Sequence, residues 1–414
     1  MRPPRLLETT ASLAAVVLLT VFSGAPAFAQ QPPQPLPTDQ KGCLGPPQGT
    51  ERSAPWAQQR LAPERVWPLT TGTGITVGIV DSGVDGGSPQ LSGGKVTAGV
   101  DVTAPGGRAD TDCYGHGTFV AGIIAASRDT TTGFAGVAPG ASILPIRCAK
   151  LGEDGSAPVL TAASLGDGIR AAVDGGARVI NVSASTTVDD PKLSSAVSYA
   201  ANRDVVVVAS AANSAQQGDP VTYPAAYPGV IAVGAIDRDG KHADFSQTGS
   251  FLSLVAPGVG VTSIGPGGPG QWQGTGTSYS APFVAGAAAL VRAYHPQLSA
   301  GQVKHRLQVT ADPPAAARPD PGLGWGTVNV VAAVTRVLPE EAGVLRQLAS
   351  PPPMGPVPDP EGEGNGRMVA VLSLVVAGAL ALVLVPALRL MRGGSERNWA
   401  VRRTVRVRSR ETGP

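Results

Sequence analysis

The chain has 414 residues, a formal net charge of +2 and 42% hydrophobic residues. This length allows one large domain or two ordinary ones, with enough apolar sequence for a substantial core. The small net charge gives no reason to expect a nucleic-acid partner, and none is predicted.

The first 29 residues have the pattern of a secretory signal peptide. Arg2 and Arg5 precede an apolar run, and the small residues "AFA" precede Gln30, as a cleavage site requires. An uncleaved membrane anchor is the alternative interpretation. Residues 30–54 are polar and rich in proline, an N-terminal extension whose sequence has neither a helical nor a strand period.

Residues 55–336 alternate between apolar β-branched runs and helical stretches. Runs of this kind are typical of buried parallel strands. The predicted strands are residues 75–80, 142–147, 178–183, 204–210 and 229–236. The predicted helices between them are residues 117–127, 160–173 and 191–202. This order predicts an α/β domain in which helices cover both faces of a parallel sheet.

Two residues in the first half of this domain are candidates for catalysis. Asp81 directly follows the first predicted strand, where an aspartate is either a helix cap or an active-site carboxylate, because reactive groups collect at the carboxyl ends of parallel strands. His116 lies between two glycines in "DCYGHGTFVAG", which leaves one side of its ring open and lets the backbone turn sharply. The other three histidines are expected to be ordinary surface or helix residues.

A third candidate is Ser278 in "GTGTSYSAPFVAG", at the start of a long apolar helix. A serine in this position is usually an N-cap. The same position suits a nucleophile, because amides at a helix N-terminus stabilise developing negative charge. Asp81, His116 and Ser278 follow one another in the order of the subtilisin catalytic triad.

With these three motifs, residues 55–336 resemble the subtilisin-like serine proteases. The resemblance implies that Ser278 attacks a peptide carbonyl, that His116 is the general base and that Asp81 orients and stabilises His116. It also implies that the reaction needs neither a metal nor an organic cofactor.

The resemblance extends to residues that bind the substrate. Asn213, in "VVVVASAAN", stands where the family has an asparagine that donates to the oxyanion, although a turn asparagine is the alternative. Ala212 replaces a common glycine and is expected to narrow the specificity pocket. Ser183, Ala184 and Ser185 match the segment that pairs with the substrate as an additional strand.

The C-terminal part predicts a membrane anchor. A Pro-rich linker at residues 337–367 leads to an apolar run, and the predicted transmembrane helix covers residues 368–391. The tail at residues 392–414 is basic, and positive residues favour the cytoplasmic side. We therefore expect a cell-membrane protein with one span, a cytoplasmic tail and an extracytoplasmic catalytic domain. A buried soluble helix is the alternative for the apolar run.

A short extension, a subtilisin-like domain and a C-terminal anchor together resemble the mycosins, the membrane-bound proteases of type VII secretion systems. This resemblance implies protein or peptide substrates that are exported. It also implies that the protein contacts the secretion membrane components and stabilises their complex. The alternatives are a free-standing degradative or quality-control protease and a scaffold whose proteolysis is secondary.

Three cysteines suit an exported protein, in which disulfides persist. The mycosin resemblance implies a disulfide between Cys43 and Cys113 that ties the extension to the catalytic domain. A Cys113–Cys148 bond is the alternative. None of the three is expected to bind a metal, since no CxxC motif or histidine pair accompanies them.

Overall fold

In the computed structural model, the chain forms two compact units, one ending at Glu341 and the other beginning at Ala342. The described residues are 32–37, 40, 42–149, 159–315, 318–341 and 363–395, with side chains in the last range described at 368–389. The predicted signal peptide, most of the linker and the tail beyond residue 395 lie outside these ranges.

The first unit contains ten strands and seven helices among its described residues. The strands are β1 (Gln34–Pro35), β2 (Thr76–Asp81), β3 (Val100–Asp101), β4 (Ser142–Arg147), β5 (Val179–Val182), β6 (Val206–Ser210), β7 (Ile231–Ile236), β8 (Leu252–Pro257), β9 (Val261–Ile264) and β10 (Gln271–Gly274). The helices are α1 (Trp56–Leu61), α2 (His116–Ala125), α3 (Ala162–Asp174), α4 (Pro191–Asn202), α5 (Thr277–Tyr294), α6 (Ala300–Val309) and α7 (Val330–Thr335).

The main sheet has seven parallel strands in the order β3-β4-β2-β5-β6-β7-β8. Its central strands are buried and mostly apolar, since α2 and α5 cover one face and α3 and α4 cover the other. The predicted α/β fold is confirmed. All five predicted strands are present, with bounds within two residues of those expected.

The N-terminal extension contributes a short strand although its sequence has no strand period. It contains β1, which pairs in parallel with β10, and Gly49 bridges to Gln271 farther along. The β9–β10 hairpin and β1 form a second, three-stranded sheet. A strand of two residues carries no detectable period, so only its partner in the folded chain reveals it.

The predicted Cys43–Cys113 disulfide is present, and Cys148 is a buried free thiol, so the alternative pairing was wrong. Next to the disulfide, the Leu44 amide donates to the carbonyl of Cys113 at 2.7 Å. The bond joins residues 70 positions apart, and closing a loop of that size stabilises a fold by about 4 kcal/mol in the chain-entropy model. The extension is therefore fixed covalently to the loop that leads to His116.

The second unit contains one long helix, α8 (Glu363–Ser395). It is longer at both ends than the predicted helix at residues 368–391. Its apolar part, Met368–Arg389, has 22 residues and a mean hydropathy of 2.9. At 1.5 Å per residue it extends about 33 Å, which matches the ~30 Å hydrocarbon layer of a bilayer. Length and composition make it a candidate membrane span.

Candidate active site

The carboxyl ends of three adjacent strands bring polar side chains to one edge of the sheet. Asp81 is the last residue of β2, Ser183 follows β5, and Asn213 follows β6 by three positions. These strands are neighbours in the order β2-β5-β6. Residues that are far apart in the sequence therefore meet where parallel sheets place reactive groups.

His116 is the first residue of α2, and its ring faces Asp81. Nδ1 lies 2.8 Å from Oδ1 and 2.9 Å from Oδ2 of that carboxylate. Because an ionised carboxylate only accepts hydrogen bonds, Nδ1 carries the proton and the other ring nitrogen, Nε2, is free to take one. Asp81 is 6% exposed, whereas the His116 side chain is 20% exposed, so the carboxylate is shielded from water while the ring reaches the cleft.

The backbone conformation beside His116 requires its two neighbouring glycines. Gly115 has φ 87°, a left-handed conformation that glycine adopts without steric penalty. At Gly117, a Cβ would lie 2.0 Å from the carbonyl oxygen of Gly83. The sharp turn expected from these glycines is present at Gly115, and Gly117 also lets α2 pack closely on the loop after β2.

The surroundings of His116 determine its pKa. Burial disfavours the charged imidazolium and lowers the pKa, whereas the charge and hydrogen bond of Asp81, together with the charge of Asp112, raise it. The carboxylates prevail, and the pKa of His116 is above its ordinary value. The ring is thus a stronger base than a solvent-exposed histidine.

Ser278 lies in the first turn of α5, close to the side-chain amide of Asn213. A Cβ added to Gly276 would lie 3.2 Å from Ser278 Oγ and 3.3 Å from Asn213 Nδ2, so both atoms border the same small space. The amide of Asn213 is held by Thr277, whose backbone N–H and hydroxyl both donate to Oδ1 at 2.9 Å. This fixes Nδ2 as the donor that points toward the space.

A cleft of about 250 Å³ lies beside these residues. Asp81 and His116 form part of its wall, and the other lining residues are Ser82, Tyr114, Ala149, Leu160, Ser183, Ala184 and Ser185. Ser183 Oγ donates to the backbone carbonyl of Ser278 at 2.7 Å. The cleft is large enough for several atoms of an extended peptide.

Ala212 lies next to the site but does not line this cleft. It is 9% exposed and has φ 82°, a conformation that strains any residue with a Cβ. Its amide donates to Thr277 Oγ1 at 3.1 Å. The replacement of glycine by alanine therefore places backbone strain directly before Asn213.

Sequence analysis missed three residues that support the site: Ser82, Asp112 and Thr277. Asp112 belongs to the quoted histidine motif and Thr277 to the serine motif, but neither was assigned a role there. The ring of Tyr279 also packs against His116, with the two ring centroids 5.2 Å apart. Among the described residues, no group of three or more His, Cys, Asp or Glu side chains is arranged to hold a metal ion.

Comparison with known proteins gives consistent matches. The subtilase family model matches residues 72–326. Mycosin-1 of Mycolicibacterium smegmatis is 31% identical, covering 91% of this chain and 98% of that protein. A crystal structure of MycP1 from the ESX-1 type VII secretion system is 31% identical, with a TM-score of 0.63 over 74% of this chain and 92% of that chain. The MycP3 protease of the type VII (ESX-3) system is 33% identical, with a TM-score of 0.62 over 74% of this chain and 95% of that chain.

Proposed function

The chain belongs to the subtilase family of serine proteases and, within it, to the mycosins; from this premise we propose that it is a membrane-anchored, extracytoplasmic endopeptidase of a type VII secretion system. The observation that carries the proposal is the paired hydrogen bonding of His116 with Asp81 beside a cleft that can hold part of an extended peptide. The related proteases MycP1 and MycP3 come from the ESX-1 and ESX-3 type VII secretion systems, which supports the cellular setting.

The proposed reaction uses the three residues as a unit. Ser278 Oγ attacks the peptide carbonyl carbon while His116 Nε2 accepts its proton, and Asp81 stabilises the resulting imidazolium. His116 then gives this proton to the departing amine. Water hydrolyses the acyl-enzyme by the same steps, which regenerates Ser278.

The developing oxyanion needs donors that are already in place. Asn213 Nδ2 and the backbone N–H of Ser278, at the start of α5, are the proposed donors. Thr277 holds the Asn213 amide in the required orientation through two hydrogen bonds. Little reorganisation is then needed when charge develops, which is why donors of this kind lower the barrier.

Replacing Asn213 with alanine should lower kcat by roughly 10²–10³ and leave KM nearly unchanged, because the lost donor acts mainly in the transition state. Steady-state kinetics on a peptide substrate measures both constants. Asn329→Ala is the matched control, since that asparagine caps α7, and its kcat should stay at the wild-type level. A kcat for Asn213→Ala close to that of the control would assign the oxyanion to other groups.

The proposed cellular role has two parts, the processing of exported substrates and the stabilisation of the secretion membrane complex. Both require the catalytic unit to be outside the cytoplasm and attached to the membrane by α8. The basic residues after α8 favour a cytoplasmic tail. A free-standing degradative protease with the same anchor is the competing function.

Ending the chain after Glu341 should move the protein from the membrane fraction into the culture medium, because α8 is removed while the predicted signal peptide stays. Fractionation and immunoblotting measure this. The full chain with a C-terminal tag should remain in membranes, and protease added to intact cells should degrade the catalytic unit while the tag is protected. Recovery of the truncated chain in membranes, or of the full chain in the cytosol, would contradict the topology.

A further inference from the structure

A second carboxylate, Asp112, lies behind the Asp81–His116 pair. It is 5% exposed and receives four hydrogen bonds. Oδ1 accepts from Ser82 Oγ at 2.9 Å and from the Gly115 amide at 2.8 Å. The donors to Oδ2 belong to Thr118, whose amide lies at 2.8 Å and whose hydroxyl lies at 2.7 Å. All four partners donate, which matches an ionised carboxylate.

These bonds complete the N-terminus of α2. The first amides of a helix have no intrahelical partner and are usually satisfied by the side chain of the N-cap residue. Here the N-cap is Gly115, which makes no side-chain cap. The amide of Gly117 donates to Ser82 Oγ at 3.1 Å, and that of Thr118 donates to Asp112. The cap that glycine cannot supply therefore comes from two residues outside the helix.

The same bonds connect α2 to the residue that pairs with its histidine. Ser82 follows Asp81 directly, and its amide donates to Asp81 Oδ1 at 2.8 Å. Its hydroxyl lies between the two carboxylates, 2.9 Å from Asp112 Oδ1 and 3.2 Å from Asp81 Oδ1. His116 is the first residue of α2. The hydrogen bonds that hold the start of this helix against Ser82 therefore also hold the imidazole against Asp81.

We propose that Asp112 is a positioning residue for catalysis, which holds His116 against Asp81 through Ser82 and Thr118. The proposal rests on the triad of the proposed function, and it adds Asp112 as a fourth residue that supports catalysis. Asp112 touches neither the substrate nor the reacting atoms.

The proposal predicts a measurable effect on the pKa of His116. The charge of Asp112 is one of the causes that raise the pKa of His116. Burial raises the pKa of Asp112 itself, against the hydrogen bonds that it accepts. The other titratable or charged groups around the pair are Tyr114 in the same loop, Tyr279 from α5, and Arg147 and Cys148 at the end of β4. None of them changes in the variants below.

The test compares Asp112→Asn with wild type. Asparagine keeps the shape of the side chain, removes its charge and turns one of the two accepting oxygens into a donor. We expect kcat to fall roughly 10-fold to 100-fold with little change in KM, because misplacing a catalytic group acts on the transition state. We also expect the acidic limb of the kcat/KM profile to move to lower pH. Its midpoint reports His116 losing its proton, and this proton is held less tightly without the neighbouring charge.

A control separates positioning from helix capping alone. Asp190 caps α4 by accepting from the amides of Lys192 and Leu193 and is not among the residues that line the cleft. Asp190→Ala removes this cap and should lower the Tm while leaving kcat and the pH profile unchanged. If Asp112→Asn behaves in the same way, Asp112 is only structural and the proposal is overturned.

Two further measurements test the proposal even if Asp112→Asn does not fold or the enzyme cleaves no peptide. Ser82→Ala retains both carboxylates and loses the bridge, so kcat should fall about fivefold, the factor expected of one hydrogen bond, while the acidic limb stays in place. If Asp112→Asn does not fold, an unchanged kcat in Ser82→Ala overturns the proposal. The NMR titration of the His116 Nδ1 proton needs no turnover, so the shift expected in Asp112→Asn is measurable even if no peptide is cleaved and the proposed function fails.

Discussion

Replacing Ser278 with alanine should lower kcat by roughly 10⁶, the magnitude that loss of the triad serine costs in subtilisin. The physical reason is that the hydroxyl is the only proposed nucleophile at the start of α5. The remaining donors still bind the oxyanion and the cleft still binds peptide. The KM should therefore change little, and a peptide-cleavage assay with enzyme purified in detergent measures both constants.

A neighbouring serine provides the control. Ser280 lies two positions farther along α5, is fully buried, and has no hydrogen-bond partner for its Oγ among the described residues. Ser280→Ala removes a hydroxyl from the same helix and should keep the wild-type kcat. A Ser278→Ala enzyme that cleaves within about tenfold of the wild-type rate would contradict the triad, since no other group could sustain that rate.

Deleting the gene should stop export of the proteins that depend on the type VII system, whereas a Ser278→Ala strain should still export them in unprocessed form. The reason is that the nucleophile and the surfaces proposed to contact the secretion components lie in different parts of the chain. Ser278 lies beside a cleft, so its loss leaves the outer surface, the linker and α8 intact for contacts with the secretion components. Quantitative mass spectrometry of culture filtrates from the two strains measures both effects.

Complementation of the deletion with the wild-type gene is the control and should restore both export and processing. A degradative protease predicts a different pattern, in which the deletion and the point variant look alike and both continue to export. Normal export in the deletion strain would therefore rule out the proposed role in secretion and leave the protease assignment unaffected.

The strands and the chemistry of the site were predictable because their signals are local. Buried parallel strands are nearly continuous apolar runs, so β4 could be located from the run between Ser142 and Arg147. The catalytic candidates were recognisable because the sequence motifs around His116 and Ser278 contain the glycines that sharp turns require. The disulfide followed from the family resemblance, since the spacing of three cysteines does not determine their pairing.

The remaining features depend on contacts between distant segments. Asp112 and Ser82 are 30 positions apart, and neither shows in the sequence that it supports a histidine. Arg306 is another example. It is fully buried and pairs with Glu341, while its Nε donates to the carbonyl of Ala333 at 2.6 Å. Arginine is rarely buried in this way, so the residue type predicts a surface position for Arg306. Only its partners in the folded chain explain why it is buried.

Labelling with a fluorophosphonate, which reacts with activated serines, tests the central claim most directly. The full chain in membranes is treated, digested and mapped by mass spectrometry. The account predicts one labelled site, Ser278, with labelling abolished in Ser278→Ala and strongly slowed in His116→Ala because the hydroxyl loses its base. Labelling that persists in Ser278→Ala, or that maps to another serine in the wild-type chain, would contradict it.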